Sequence, residues 1–152
     1  ATFSFNEALR CRPDFPQAHN NLAVVLTERG RNAEALAHLE RALALKPDFA
    51  EAYNNLGNVY KNEGRLEQAI AAFARAVELR ADYSGAHSNL LFTLNFVDGL
   101  SPHQIFELHC QWAARHAQGL ASTEHDNVRD PARRLRIAYV SPDFRAHACA
   151  FF

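Results

Sequence analysis

Carboxamide side chains recur in this chain at a fixed interval. Asn20 and Asn21 lie in Ala18-His19-Asn20-Asn21-Leu22-Ala23, and Asn54 and Asn55 lie 34 positions on in Ala52-Tyr53-Asn54-Asn55-Leu56-Gly57. Ser88 and Asn89 follow after the same interval in Ala86-His87-Ser88-Asn89-Leu90-Leu91. An amide both donates and accepts, so it can hold a peptide group whatever side chains flank that group. Each such bond is worth about 1 kcal/mol net. Asn21, Asn55 and Asn89 are in strict register and form a candidate ladder for an extended polypeptide, with Asn20, Asn54 and Asn58 beside them. The same residues also fit a purely structural role, in which Asn before Leu serves contacts between turns. The spacing leaves both readings open.

A second group is Asp143, Arg145 and His147, which follow the run Leu135-Arg136-Ile137-Ala138-Tyr139-Val140-Ser141. That run is β-branched and aromatic and reads as a strand. In open α/β sheets ligands bind beyond the carboxyl ends of strands. A histidine there, with a pKa near neutral, suits proton transfer or contact with a phosphate. Elsewhere the signals are weaker. His109 and His116 share a helix face, but seven residues of helix set them about 10 Å apart, too far for one ion. They read as packing or surface residues, and no metal site is expected. Cys11, Cys110 and Cys149 are scattered without a CxxC, which argues against a disulfide framework or zinc and for small apolar residues. Arg133, Arg134 and Arg136 read as a solvated lead-in to the strand.

The amides must be positioned by helices. A fixed period in this range signals stacked repeats. Pro13-Asp14-Phe15, Pro47-Asp48-Phe49 and Ala81-Asp82-Tyr83 are the connectors, and each unit between them reads as a helical hairpin. The first helix of unit one is expected over about 16–29, with Ala18, Leu22, Ala23, Val25 and Leu26 on one face. Asp14 and Asp48 are expected N-caps, with Gln17 and Glu51 as capping-box partners. Gly30 and Gly64 are expected to end the first helices in a left-handed turn. The second helices carry small Ala35, Ala42, Ala69 and Ala76 where axes approach. Of the first-helix residues, Asn20, Asn21, Val24, Thr27 and Glu28 are expected to face the groove, then Asn54, Asn55, Asn58, Lys61 and Asn62. In the third unit the set is Ser88, Asn89, Phe92, Asn95 and Phe96.

The chain therefore divides into a lone second helix (1–15), repeats at 16–49, 50–83 and 84–117, a polar linker (118–134) and the start of an α/β domain (135–152). The last repeat ends in an atypical helix opened by Ser101-Pro102-His103-Gln104, a capping box with Pro at the first helical position. The fold class is all-α, a solenoid of stacked hairpins, with a short strand and loop at the end. The chain reads as cut at both ends. Its first helix is expected to leave Phe5 and Leu9 open to water, which makes self-association through truncated ends an expectation. With 16 basic and 17 acidic residues in 152, the charge offers no case for nucleic acid or an anionic membrane. No apolar run reaches membrane-spanning length, and an intracellular, cytoplasmic protein is expected.

His19, Leu22, Ala23, Leu26, Ala35, Leu39, Ala42 and Pro47 match the signature of the tetratricopeptide repeat, as do Tyr53, Leu56, Gly57, Tyr60, Ala69, Phe73 and Ala76. The repeats, the segment from Ser101 to Ala117, and Leu135 through Ser141-Pro142-Asp143-Phe144-Arg145-Ala146-His147 together resemble the protein O-linked N-acetylglucosamine transferases, the bacterial and Spindly-like branch included. That resemblance implies inverting transfer of N-acetylglucosamine from UDP-GlcNAc to Ser or Thr of proteins. It implies a GT-B-like catalytic region of two Rossmann-like lobes, no cofactor and no metal, and an acceptor polypeptide held by the repeats. By position His147 is the active-site histidine of that family, although Ala148 stands where Pro usually follows. Such a chain alone is expected to be inactive. The competing expectation is a non-enzymatic tetratricopeptide scaffold.

Overall fold

The computed structural model describes residues 2–117, all within the first of the two units, Ala1–Ala121, into which the chain divides. Seven helices follow one another: α1 Thr2–Cys11, α2 Pro16–Glu28, α3 Asn32–Leu45, α4 Ala50–Asn62, α5 Leu66–Leu79, α6 Ser84–Leu94 and α7 Pro102–His116. They pair as hairpins α2–α3, α4–α5 and α6–α7, and each hairpin packs on the next. The linker, the strand and His147 lie outside the described residues.

Each hairpin closes because its two helices bury complementary faces. Leu22, Ala23 and Leu26 of α2 meet Ala35, Leu39 and Ala42 of α3 in one core that continues through Phe49, Ala52 and Val59. All four alanines at 35, 42, 69 and 76 are completely buried, so the axes come together where side chains are smallest. In the second hairpin Gly57 takes the place of Ala23 and Phe73 the place of Leu39. A Cβ on Gly57 would lie 2.5 Å from Phe73 Cε1. The larger ring has been accommodated by the smaller residue opposite. α1 packs on α2, with Phe5 and Leu9 half-buried against the core rather than open to water.

The tight turns at Gly30 and Gly64 have φ of 73° and 74°. At each, the next N–H reaches back five residues: Arg31 N donates to Leu26 O and Arg65 N to Tyr60 O, both at 2.9 Å. This is the Schellman arrangement that favours glycine. The helix starts differ from expectation. α2 and α4 begin after Phe15 and Phe49, and neither has a side-chain cap. Asp14 instead pairs with Arg41, and Glu51 with Arg80, so each carboxylate ties the start of one helix to the end of its antiparallel partner. The box at Ser101 does form: Ser101 Oγ accepts from Gln104 N, and Gln104 Oε1 accepts from Ser101 N.

Two histidine pairs fasten hairpins from the side. His19 and His38 approach with 2.9 Å between their Nδ1 atoms. His19 Nε2 lies 2.9 Å from the Pro13 carbonyl, which can only accept. In its neutral form His19 thus carries its proton on Nε2, and His38 Nδ1 donates to His19 Nδ1. His87 Nδ1 and His116 Nε2 are 3.0 Å apart in the third hairpin. His109 is exposed and joins neither pair.

Burial pushes the His38 imidazole below its ordinary pKa, helped by His19 and opposed by Glu34. Burial, His116 and Arg115 do the same to His87. Unfolded chains therefore take up protons first as pH falls below about 6.5, and stability present above that value is lost through the window beneath it. Thermal denaturation between about pH 7.5 and about pH 5.5 should show a steeper fall in Tm for the wild type than for His38→Gln. Parallel slopes would remove the pair from the account.

Candidate functional site

α2, α4 and α6 lie side by side and carry the asparagine positions into one row. On a helix adjacent residues point about 100° apart, so two consecutive asparagines cannot both face the same groove. The chain resolves this with a zipper. Asn20 and Asn54 turn inward and are buried, 6% and 8% exposed. Each accepts from the amide one repeat later: Asn55 Nδ2 donates to Asn20 Oδ1 at 2.8 Å, and Asn89 Nδ2 to Asn54 Oδ1 at 2.9 Å. Asn20 Nδ2 in turn donates to Asn21 Oδ1 at 3.3 Å. The expectation that Asn20 and Asn54 meet a ligand is thus corrected: they sit beneath the row and orient it. Asn21 is exposed, and Asn55 and Asn89 are half-buried with Oδ1 and the second N–H left over.

Asn55 and half-buried Asn58 line a cleft of about 250 Å³ with Val24, Thr27, Glu28 and Asn62. Thr27 gives its hydroxyl to Ala23 O at 2.8 Å and so offers the cleft a methyl group. The cleft joins α2 to α4, as a polymer running across the hairpins would require. In the third unit the same face changes character. Phe92 and Phe96 are 55% and 61% exposed with centroids 5.0 Å apart. A further cleft of about 290 Å³ lies between α6 and α7, lined by Ser88, Leu91, Phe92, Asn95, His109 and Trp112. Between the second and third units the Lys61 ammonium lies 5.5 Å from the Phe92 centroid and 6.0 Å from that of Phe73.

Such an arrangement can hydrogen-bond a backbone and sort side chains. Among the described residues no group of three or more His, Cys, Asp or Glu gathers as metal ligands would. The two described cysteines, Cys11 and Cys110, are free and exposed rather than packed as small apolar residues. No described helix is long and apolar enough to cross a membrane. The histidine pairs were not apparent from sequence. His19 and His87 do share a register position, which was the available signal, but their partners come from different places on the second helices.

Models of the tetratricopeptide repeat match residues 4–37 and 50–83, and a TPR repeat model matches residues 24–64. Residues 4–83 are thus covered without a gap and are tetratricopeptide repeats. Among curated proteins, a probable UDP-N-acetylglucosamine–peptide N-acetylglucosaminyltransferase SPINDLY of Arabidopsis thaliana is 36% identical over 66 residues. The protein of that name from Petunia hybrida is 36% identical over 63 residues. Each match takes in 41% of this chain but only 7% of the relative. Among solved structures, a mutant O-GlcNAc transferase of Thermobaculum terrenum is similar with a TM-score of 0.84 and 36% identity, over 99% of this chain and 29% of that one. YrrB, described as a TPR protein with an unusual peptide-binding site, shares the fold at a TM-score of 0.67 and 21% identity, over 77% of this chain and 59% of its own.

Proposed function

We propose that this tetratricopeptide-repeat chain, similar to the O-GlcNAc transferases, holds an extended acceptor polypeptide along its row of amides for a sugar-transferring region of the same protein. The observation that carries the reading is the zipper. Buried Asn20 and Asn54 fix Asn55 and Asn89 with free hydrogen-bonding capacity turned to one face. An extended strand has unpaired N–H and C=O groups along its whole length, and a row of fixed amides answers them without regard to sequence. Likeness to an O-GlcNAc transferase over 99% of this chain supports the sugar-transfer half of the reading. In that function N-acetylglucosamine passes from UDP-GlcNAc to Ser or Thr hydroxyls. The hydroxyl must lose a proton as it attacks, and the departing diphosphate needs positive charge to receive it. His147 is the residue proposed for the active site.

The test is made in the longer protein with Asn21, Asn55 and Asn89 all replaced by alanine. Three bonds of about 1 kcal/mol each correspond to roughly a hundredfold loss. kcat/KM for UDP-GlcNAc transfer should fall by about that factor with a protein acceptor and stay unchanged with a short acceptor peptide that never reaches the repeats. Equal loss with both acceptors would mean that the amides only support the fold. Absence of any transfer by the unaltered protein would reject the enzymatic reading and leave a binding scaffold.

A further inference from the structure

Resting on the groove reading above, we infer that the third unit carries a side-chain subsite, which takes an aromatic residue of the bound polypeptide beside an acidic one held by Lys61. The repeat register isolates it. Val24, Asn58 and Phe92 occupy one position of successive units, and Glu28, Asn62 and Phe96 another. The amide row is the same along all three units, yet only the third exposes two phenyl rings on that face. Phe92 and Phe96 stand open at 55% and 61%, 5.0 Å apart and tilted by 58°, so an incoming ring can meet an edge and a face. The cleft beside Phe92 is lined on its far side by Trp112 and His109 of α7.

Charge selects the neighbouring residue. The ring faces of Phe73 and Phe92 hold the Lys61 ammonium by their negative quadrupoles. Among the described residues Lys61 forms no ion pair, and the groups recorded against its ammonium are the two phenyl rings. A carboxylate on the polypeptide is the group that complements it. The geometry is consistent with one extended segment. Neighbouring helices pack about 8–10 Å apart, which is about three residues of extended chain. Asn55 and Asn89 can therefore grip the backbone on either side of Lys61 while a side chain enters the phenyl pair. Ser88 and Asn95 border the patch beside Phe92, and Leu66, Glu67, Ile70, Val97 and Asp98 border it beside Phe96, so its rim mixes polar, acidic and apolar groups rather than forming the broad apolar face a permanent dimer buries.

The whole chain would be titrated, with fluorescence anisotropy as readout, against a labelled serine–alanine peptide of about ten residues containing a central Asp-Tyr pair. Two control peptides replace the Tyr by Ser or the Asp by Asn. The Asp-Tyr peptide should bind about tenfold tighter than its Ser control and about threefold tighter than its Asn control, the latter difference shrinking with salt. Phe92→Ser combined with Phe96→Ser should bring the Asp-Tyr peptide down to the affinity of the Ser control, whereas Phe92→Tyr with Phe96→Tyr should keep the preference. Asn55→Ala with Asn89→Ala should weaken every peptide alike. If Tyr and Ser peptides bind the wild type equally, and the asparagine variant weakens both, the subsite is rejected while the groove stands. If no peptide binds, both readings fall. If sedimentation shows a dimer that Phe92→Ser with Phe96→Ser dissolves, the rings serve a second copy and the proposal is overturned.

Discussion

Phe73→Ala should destabilise the chain by about 3–5 kcal/mol, because it empties the largest fully buried site among the described residues. The more informative experiment changes the residue opposite. Gly57→Ala puts a methyl group 2.5 Å from the ring of fully buried Phe73, which must shift to admit it. Overpacking of this kind costs about 1–3 kcal/mol, although alanine is otherwise the better helix former. Phe73→Leu in the Gly57→Ala background should recover much of that loss, since the pair then matches buried Ala23 and Leu39 of the preceding hairpin. Urea denaturation of the two single variants and the double variant would give a coupling of about 1–2 kcal/mol. Simple additivity would mean that the two positions do not share their space. The third hairpin cannot take part in this exchange. Leu91 and Glu107 occupy the corresponding positions, and Glu107 is exposed. α7 is therefore seated on α6 by other contacts, His87–His116 among them.

Periodic features were legible in the sequence because each is repeated or purely local. The hairpins follow from apolar spacing, and the turns at Gly30 and Gly64 follow from a conformation that other residues resist. The box at Ser101 uses residues three apart on one chain and needs nothing else. Features that depend on what lies across a hairpin were not legible. Asp14 has the look of a cap, but α2 starts one residue later and Arg41 comes from the far end of α3 to claim the carboxylate. The capping-box position of Glu51 is likewise overridden by Arg80. His38 has no periodic counterpart, since Ala72 stands one repeat later, so nothing in the pattern announced its bond to His19. The groove residues were half legible. Register grouped Asn21, Asn55 and Asn89 at one position of successive units, but it gave both asparagines of each pair the same face. The turn of the helix separates them, and it puts one in the groove and the other beneath.

That separation leads to a second large effect, at residues that would never touch a ligand. Asn20→Ala with Asn54→Ala removes two buried acceptors and leaves the Asn55 and Asn89 donors unmatched at the seams between hairpins. A stranded polar group costs about 1–3 kcal/mol, and half-buried donors with some access to water fall toward the lower end. The pair of substitutions should thus lower stability by about 2–4 kcal/mol. Solenoid stability is largely a sum of units and the interfaces between them, so loss at two seams should also broaden the urea transition. Ser88→Ala supplies the control: it alters the same repeat position in the third unit, where the side chain is exposed, and should shift stability by less than about 0.5 kcal/mol. Because each bond joins two named residues, Asn89→Ala made after Asn54→Ala should cost much less than Asn89→Ala made first. Equal costs in both orders would show that the buried amide does not hold the half-buried one. The row would then lack the fixed orientation needed to grip a backbone at several points at once.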